Sequence, residues 1–308
     1  PACGNTNQGL YQLNDTLTVG SLISRTYRIF NVTFNYVGSG TALVINDMVN
    51  SDFELTGQVV NPTSSGSSIG VQIQPLTTAF TGNKIRIEHV PGSNDTTGSI
   101  GVQIDPSLQT IENNEFYFTE VLLHDFGIRV ENPSASTFFR NNVLSSVHTH
   151  DFKTIGVRLG TTSTDSDNIQ TNTLDVFTNT DGGPANTSMQ VWGDNNTIRF
   201  GSYGVGQTGA ASRLESASED NVVIWFATNG ALVDLGTNNS YVAGLVAASS
   251  SGGSVTVSSG AQASLAGIQL GTAEAQPEGA AVAESNERDA VAALESLILP
   301  AESSEKES

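Results

Sequence analysis

The chain has 308 residues, enough for one large domain or two ordinary ones, and its 37% hydrophobic content is low for a protein that still buries a core. Its 12 Lys and Arg against 31 Asp and Glu leave a net charge of −19, which argues against nucleic acid or an anionic membrane as main partner and favours a sugar, a protein or a cation. The single cysteine, Cys3, excludes an internal disulfide framework and a Cys-rich zinc site, and no run approaches 18 consecutive apolar residues, so no membrane insertion is expected.

Residues 1–25 read as an irregular N-terminal arm or cap. The opening PACGNTNQGL lacks a charged n-region followed by an apolar h-region, so a signal peptide is expected to be absent or already removed. From residue 26 to 272 the sequence repeats. Ile69-Gly-Val-Gln-Ile-Gln-Pro75 returns as Ile100-Gly-Val-Gln-Ile-Asp-Pro106, and looser copies follow at Gly127–Val130, Gly156–Leu159 and Ser188–Val191. Gly40–Ile45 precedes the series, and Gly230–Val233 and Gly267–Leu270 extend it. A second ladder runs through Asn83, Asn113-Asn114, Asn141-Asn142, Asn172, Asn195-Asn196 and Asn221. A third is aromatic, at Phe126, Phe152, Phe177, Phe200 and Phe226.

Within each repeat two or three apolar residues alternate with polar ones, the period of strands and not of helices. Val71 and Ile73, Val102 and Ile104, Ile128 and Val130, and Val157 and Leu159 are expected to point inward, with the residue between each pair pointing out. Gly and Asn at fixed offsets supply the left-handed or bridge conformations that turn the chain between strands. Coils stacked in this way place equivalent residues about 4.8 Å apart, which makes ladders of like side chains.

This pattern resembles the right-handed parallel β-helix of pectate-lyase-like enzymes and of viral tailspikes and fibres. The resemblance implies an all-β solenoid over residues 26–272 and does not specify an activity; a Greek-key or jelly-roll sandwich would also fit short strands but not in-register ladders. Residues 249–260 (SSSGGSVTVSSG) read as a thin last coil or a loop. From 273 to 308 the chain becomes an acidic, Ala- and Glu-rich tail. There Ala290, Val291, Leu294, Leu297 and Ile298 line one face of a short amphipathic helix, with Asn286 as cap and Pro300 as stop.

Two sets of side chains could carry chemistry. His124-Asp-Phe126 recurs as His150-Asp-Phe152, with His148 nearby, so His124, Asp125, His148, His150 and Asp151 are the residues on which an enzyme would be built, as general acid and base or around a divalent metal. Repeats also copy turn-forming dipeptides with no chemistry attached, and no HExxH or other strong metal spacing is present. The acidic calcium cluster with a catalytic Arg or Lys that the resembled lyases need is missing too, as are the strings DD, GHG and RIK of the polygalacturonases. The expectation is therefore no catalytic residue, no metal centre and no cofactor beyond an unidentified structural cation.

The second set is the outward row Gln72, Gln103, Arg129, Arg158 and Gln190, with Trp192 beside it. Its amide and guanidinium forks can bond successive sugar hydroxyls or carboxylates while the indole stacks on a ring. An ordinary polar sheet face, or a face packed on another subunit, would look the same. Few lysines beside an acidic excess suit a protein that stays soluble in high salt, or a merely acidic secreted one. The expected function is a structural and receptor-recognition protein, a spike, turret or fibre subunit of a virion with a halophilic host. It would be extracellular, homo-oligomeric and trimeric, attached to other virion or surface proteins through its termini, and would bind a host surface glycan or glycoprotein. The alternatives are a secreted polysaccharide lyase or glycoside hydrolase of the same fold and a cell-surface adhesin.

Overall fold

The computed structural model describes residues 9–61, 68–92, 98–161, 166–179, 187–203, 212–227, 232–243 and 255–257. Among them the protein is all-β. Every strand pairs in parallel with the equivalent strand of the next coil, giving two ten-stranded sheets and one six-stranded sheet, a parallel β-solenoid. In a typical coil the chain passes from the first sheet (Lys84–Pro91) to the second (Ile100–Ile104) and the third (Ile111–Glu112), then starts the next coil at Glu115. Coils begin earlier than residue 26: Gly9–Leu13, Leu17–Val19 and Leu22–Ile23 already pair with the coil above them. Val255–Val257 pairs with Leu232–Asp234, so the Gly/Ser-rich stretch holds a strand of the second sheet. Gly267–Leu270 and the expected tail helix lie outside the described residues. No described helix is long and apolar enough to cross a membrane.

The second sheet explains the most visible repeat. Val71, Ile73, Val102, Ile104, Ile128, Val130, Val157 and Leu159 are fully buried, stacked in two inward columns. The glycine just before each pair lies where the strand passes under the inward residues of the first sheet. A Cβ on Gly101 would collide with Val121 and the Gly127 carbonyl, and one on Gly127 with Thr149 and the Gly156 carbonyl. In the coil before them Thr41 pairs with Ile69 and Leu43 with Val71, so Ala42, not Gly40, holds this place.

The asparagine ladder marks the corner into the first sheet. Asn83, Asn114, Asn142, Asn172, Asn196, Asn221 and Asn239 are all buried. The Oδ1 of each from Asn114 to Asn239 accepts from the backbone N–H and side-chain amide of the ladder residue one coil before. Each ladder residue follows one with a left-handed backbone: Gly82, Asn113, Asn141, Thr171, Asn195, Asp220 and Asn238. The doublet Asn-Asn therefore divides two tasks, the first residue making the turn and the second filling the column.

The expected phenylalanine ladder is not a column. Phe126 pairs with Ile155 in the second sheet, Phe177 with Gly201 and Phe200 with Trp225 in the first, and Phe152 sits buried at the corner against Gly156. The aromatic stack runs instead through Phe80, Phe116 and Phe139, with ring centroids 6.3 and 6.4 Å apart.

Candidate functional site

The second sheet displays the outward row as the repeat implied. Gln72, Gln103, Arg129, Arg158 and Gln190 are register partners in succession, and Arg213 continues them. A parallel column two residues further along contains Gln74, Asp105, Glu131, Gly160, Trp192 and Glu215. Gln74 Nε2 donates along the second column to Asp105 Oδ2 at 2.7 Å, and Gln103 Nε2 links the first column to the second through Glu131 Oε1 at 2.8 Å. Arg129 also pairs with Glu131, and Arg213 Nε donates to Glu215 Oε1 at 2.6 Å, where Gln190 donates too. Gln103 is almost buried by these contacts.

Arg158 breaks the pattern. Arg129 and Arg213 each have a glutamate two residues on, but Arg158 has Gly160, whose φ is +80° and whose Cβ, were it present, would lie 2.9 Å from the Trp192 Cβ. Among the described residues Arg158 makes no ion pair. Its Nη2 donates to Thr161 O at 2.7 Å, and its guanidinium carbon stands 4.8 Å from the centroid of the Trp192 ring. Burial, and after it the charge of Arg129, pulls its pKa below the ordinary value, with Glu131 and Glu215 offsetting only part of this. The result is a half-buried cation against an indole face, without a carboxylate of its own.

The expected His–Asp set is split by the structure. His150 is the register partner of Leu122, not of His124. Leu123 and Asp151, each in the left-handed region at φ 63° and 54°, turn equivalent corners, so His124 corresponds to Phe152. His124 consequently points inward, buried, with Nε2 donating to Val90 O at 3.1 Å. Burial pushes its pKa down to about 4 against the opposing effect of that hydrogen bond, so it is a neutral core residue. Asp125 is buried as well and ties down Gly98 N, at 2.6 Å, and the Thr154 hydroxyl.

His148, His150 and Asp151 remain on the outer side of the first sheet, joined there by two residues that string matching overlooked. Glu120 is the register partner of both His89 and His148. Its Oε2 lies 2.8 Å from His89 Nδ1 and its Oε1 2.8 Å from His150 Nε2, while His150 Nδ1 lies 2.9 Å from Asp151 Oδ2. The His148 and His150 rings stack with centroids 4.5 Å apart. Burial alone would raise the Glu120 pKa, but the hydrogen bonds from His150 and His89, and then the charges of the same rings, hold it below the ordinary value. One hint was available in the sequence: Glu120 lies 31 residues from His89 and 30 from His150, one coil in each direction.

A β-bulge produces this arrangement. Between the inward Ser146 and Thr149 two residues, Val147 and His148, stand against the single Phe177 of the next strand, where the register shifts. His148 and His150 therefore share the outer face next to Glu120, with the Phe177 ring 6.1 Å from His148. No family model matches the chain, and no curated protein matches it with significance.

Proposed function

We propose that this protein is a non-catalytic surface-recognition protein that binds an acidic glycan along the outward row of its second sheet. The observation that carries this reading is Arg158, a guanidinium packed on Trp192 that makes no ion pair among the described residues, where the neighbouring arginines have glutamate partners. A sugar carboxylate would supply the partner that Arg158 lacks, its ring stacking on the indole, and the flanking Gln and Arg forks would meet further sugar units at the spacing of the coils. A net charge of −19 opposes the approach of an acidic polymer at low salt. Molar salt screens that repulsion and leaves the short-range fork contacts, which agrees with the high-salt composition.

The same reading makes the chain an extracellular spike, turret or fibre subunit of a virion or cell surface, self-assembled as a trimer. Exposed apolar side chains on the first coils, Leu10, Tyr11, Ile23, Tyr27 and Phe30, support attachment or self-association at that end. The enzyme alternative built on all five His and Asp residues is carried no further, because His124 and Asp125 are interior structural groups.

The test is calorimetric titration in molar salt with an oligogalacturonate, and with its neutral galactose counterpart as control. Binding is expected for the acidic oligomer, at least tenfold weaker in Arg158→Ala and in Trp192→Ala, with circular dichroism unchanged. Equal affinity in the variants, or equal binding of the neutral oligomer, would refute the assignment.

A further inference from the structure

The polar group on the first sheet is independent of the glycan row and asks for its own explanation. We propose that Glu120, His148 and His150 form a binding site for one divalent transition-metal ion of the zinc class, with a fourth coordination position left open. One ligand atom from each residue falls within 4.8 Å of the others. Tetrahedral zinc, with bonds of about 2.0–2.2 Å, holds its donors roughly 3.3–3.5 Å apart, so closing the site takes side-chain rotation on the order of 1 Å. His150 Nε2 and Glu120 Oε1 stand 2.8 Å apart in a hydrogen bond, so an ion between them would part them by about half an ångström. A metal ion would replace the proton between them, and that proton would pass to water.

The donor chemistry selects the ion. Two imidazole nitrogens and one carboxylate oxygen suit zinc, cobalt or nickel, whereas magnesium and calcium take oxygen ligands. The surroundings are those of a built site. Asp151 Oδ2 sits 2.9 Å from His150 Nδ1, the carboxylate–histidine contact that fixes a ligating ring so that Nε2 faces the metal. His89 grips the other oxygen of Glu120 at 2.8 Å and holds the carboxylate in its rotamer. The β-bulge supplies the ligand spacing, since it brings His148 beside Glu120 while His150 remains on the same face. Three protein ligands leave room for a water or for an atom of a bound partner.

The experiment is calorimetric titration of the tag-free full chain with zinc chloride in a non-chelating buffer, with the visible absorption of added cobalt(II) as a second readout of coordination. One zinc ion per chain is expected at micromolar concentration. His148→Ala, His150→Ala and Glu120→Gln should each weaken it at least tenfold and abolish the cobalt bands, and His89→Ala should weaken it less. Circular dichroism establishes that each variant is folded, and the two histidine variants decide the matter if Glu120→Gln does not fold. Absence of saturable one-to-one binding in the native chain, or binding unchanged in His148→Ala and His150→Ala, overturns the proposal.

Discussion

Asn142→Ala should be among the most damaging single changes in this protein, although it removes no apolar surface of consequence. Asn142 Nδ2 donates to Ile111 O at 3.0 Å and to Asn172 Oδ1 at 3.1 Å, and its Oδ1 accepts from Asn114 N at 3.1 Å and Asn114 Nδ2 at 3.0 Å. After truncation the Asn114 side-chain amide still bonds Phe80 O and Glu112 O, but its backbone N–H is left buried without that acceptor. One orphaned buried N–H costs about 1–3 kcal/mol, and three further neutral hydrogen bonds contribute roughly 0.5–1.5 kcal/mol each. The expected loss is therefore about 2.5–7.5 kcal/mol. The neighbouring Asn141, at φ 55°, is the internal control: Asn141→Gly keeps the left-handed turn and should stay within about 1 kcal/mol of the native protein. Solenoids can unfold in pieces, so urea unfolding should be followed by circular dichroism and by amide exchange around residues 111–145. If Asn142→Ala unfolds within about 1 kcal/mol of the native protein, or no more easily than Asn141→Gly, the ladder is not what holds these corners.

Phe116→Ala should cost about 3–5 kcal/mol by opening a cavity in the middle of the Phe80–Phe116–Phe139 stack, whereas Phe126→Ala, at a part-exposed strand end, should cost much less; equal losses in chemical denaturation would restore the aromatic ladder read from sequence. Acid should weaken the fold through His124. Its folded pKa of about 4 lies below the ordinary histidine value of 6.5, so the unfolded chain binds the proton first, and stability is lost as pH falls from 6.5 towards 4. The full effect is about 3 kcal/mol, at 1.36 kcal/mol per pH unit of difference. Asp194 acts in the opposite sense: burial is the main cause that raises its pKa to about 6, so folding disfavours its charged form and stability is lost as pH rises from 3.8 through 6. Unfolding at pH 7 and pH 4.5 should show a drop that shrinks in His124→Gln; the same drop in that variant would place the acid sensitivity elsewhere.

What could be seen in the sequence, and what could not, follows from how each residue is constrained. Gly101 and Gly127 were visible because a Cβ would strike the next coil, so the marker recurs wherever that contact does. The Asn ladder was visible because a buried amide corner admits few substitutes. The His-Asp-Phe repeat misled for the complementary reason. Identical strings imply a coil equal to the interval between them, whereas the chain advances from Leu122 to His150 in one coil, which turns one histidine inward and the other outward. Glu120 escaped notice because its partners carry different letters: the column His89–Glu120–His148 is complementary, not repetitive. Repetition in sequence finds like beside like and passes over acid beside base.

The two sheets differ in how regularly their strands repeat along the solenoid. Strands of the first sheet shorten from 11 residues in Thr26–Tyr36 to 9 in Asp52–Val60 and then hold at 8 in Lys84–Pro91, Glu115–Leu122 and Val143–His150. The second sheet holds at 5 residues in each strand from Thr41–Ile45 to Thr187–Val191. Constant length keeps outward side chains in register coil after coil, so Gln72 to Gln190 form a row with the regular spacing that a polymer of repeating units requires. The first sheet also shifts register at bulges, where a parallel ladder cannot repeat its neighbour. The step between Val143–His150 and Thr173–Asn179 is one such place. Among the described residues it yields one cluster of this kind, Glu120 with His148 and His150. A row that repeats can follow a chain of sugars, while a cluster that occurs at one step can hold one ion.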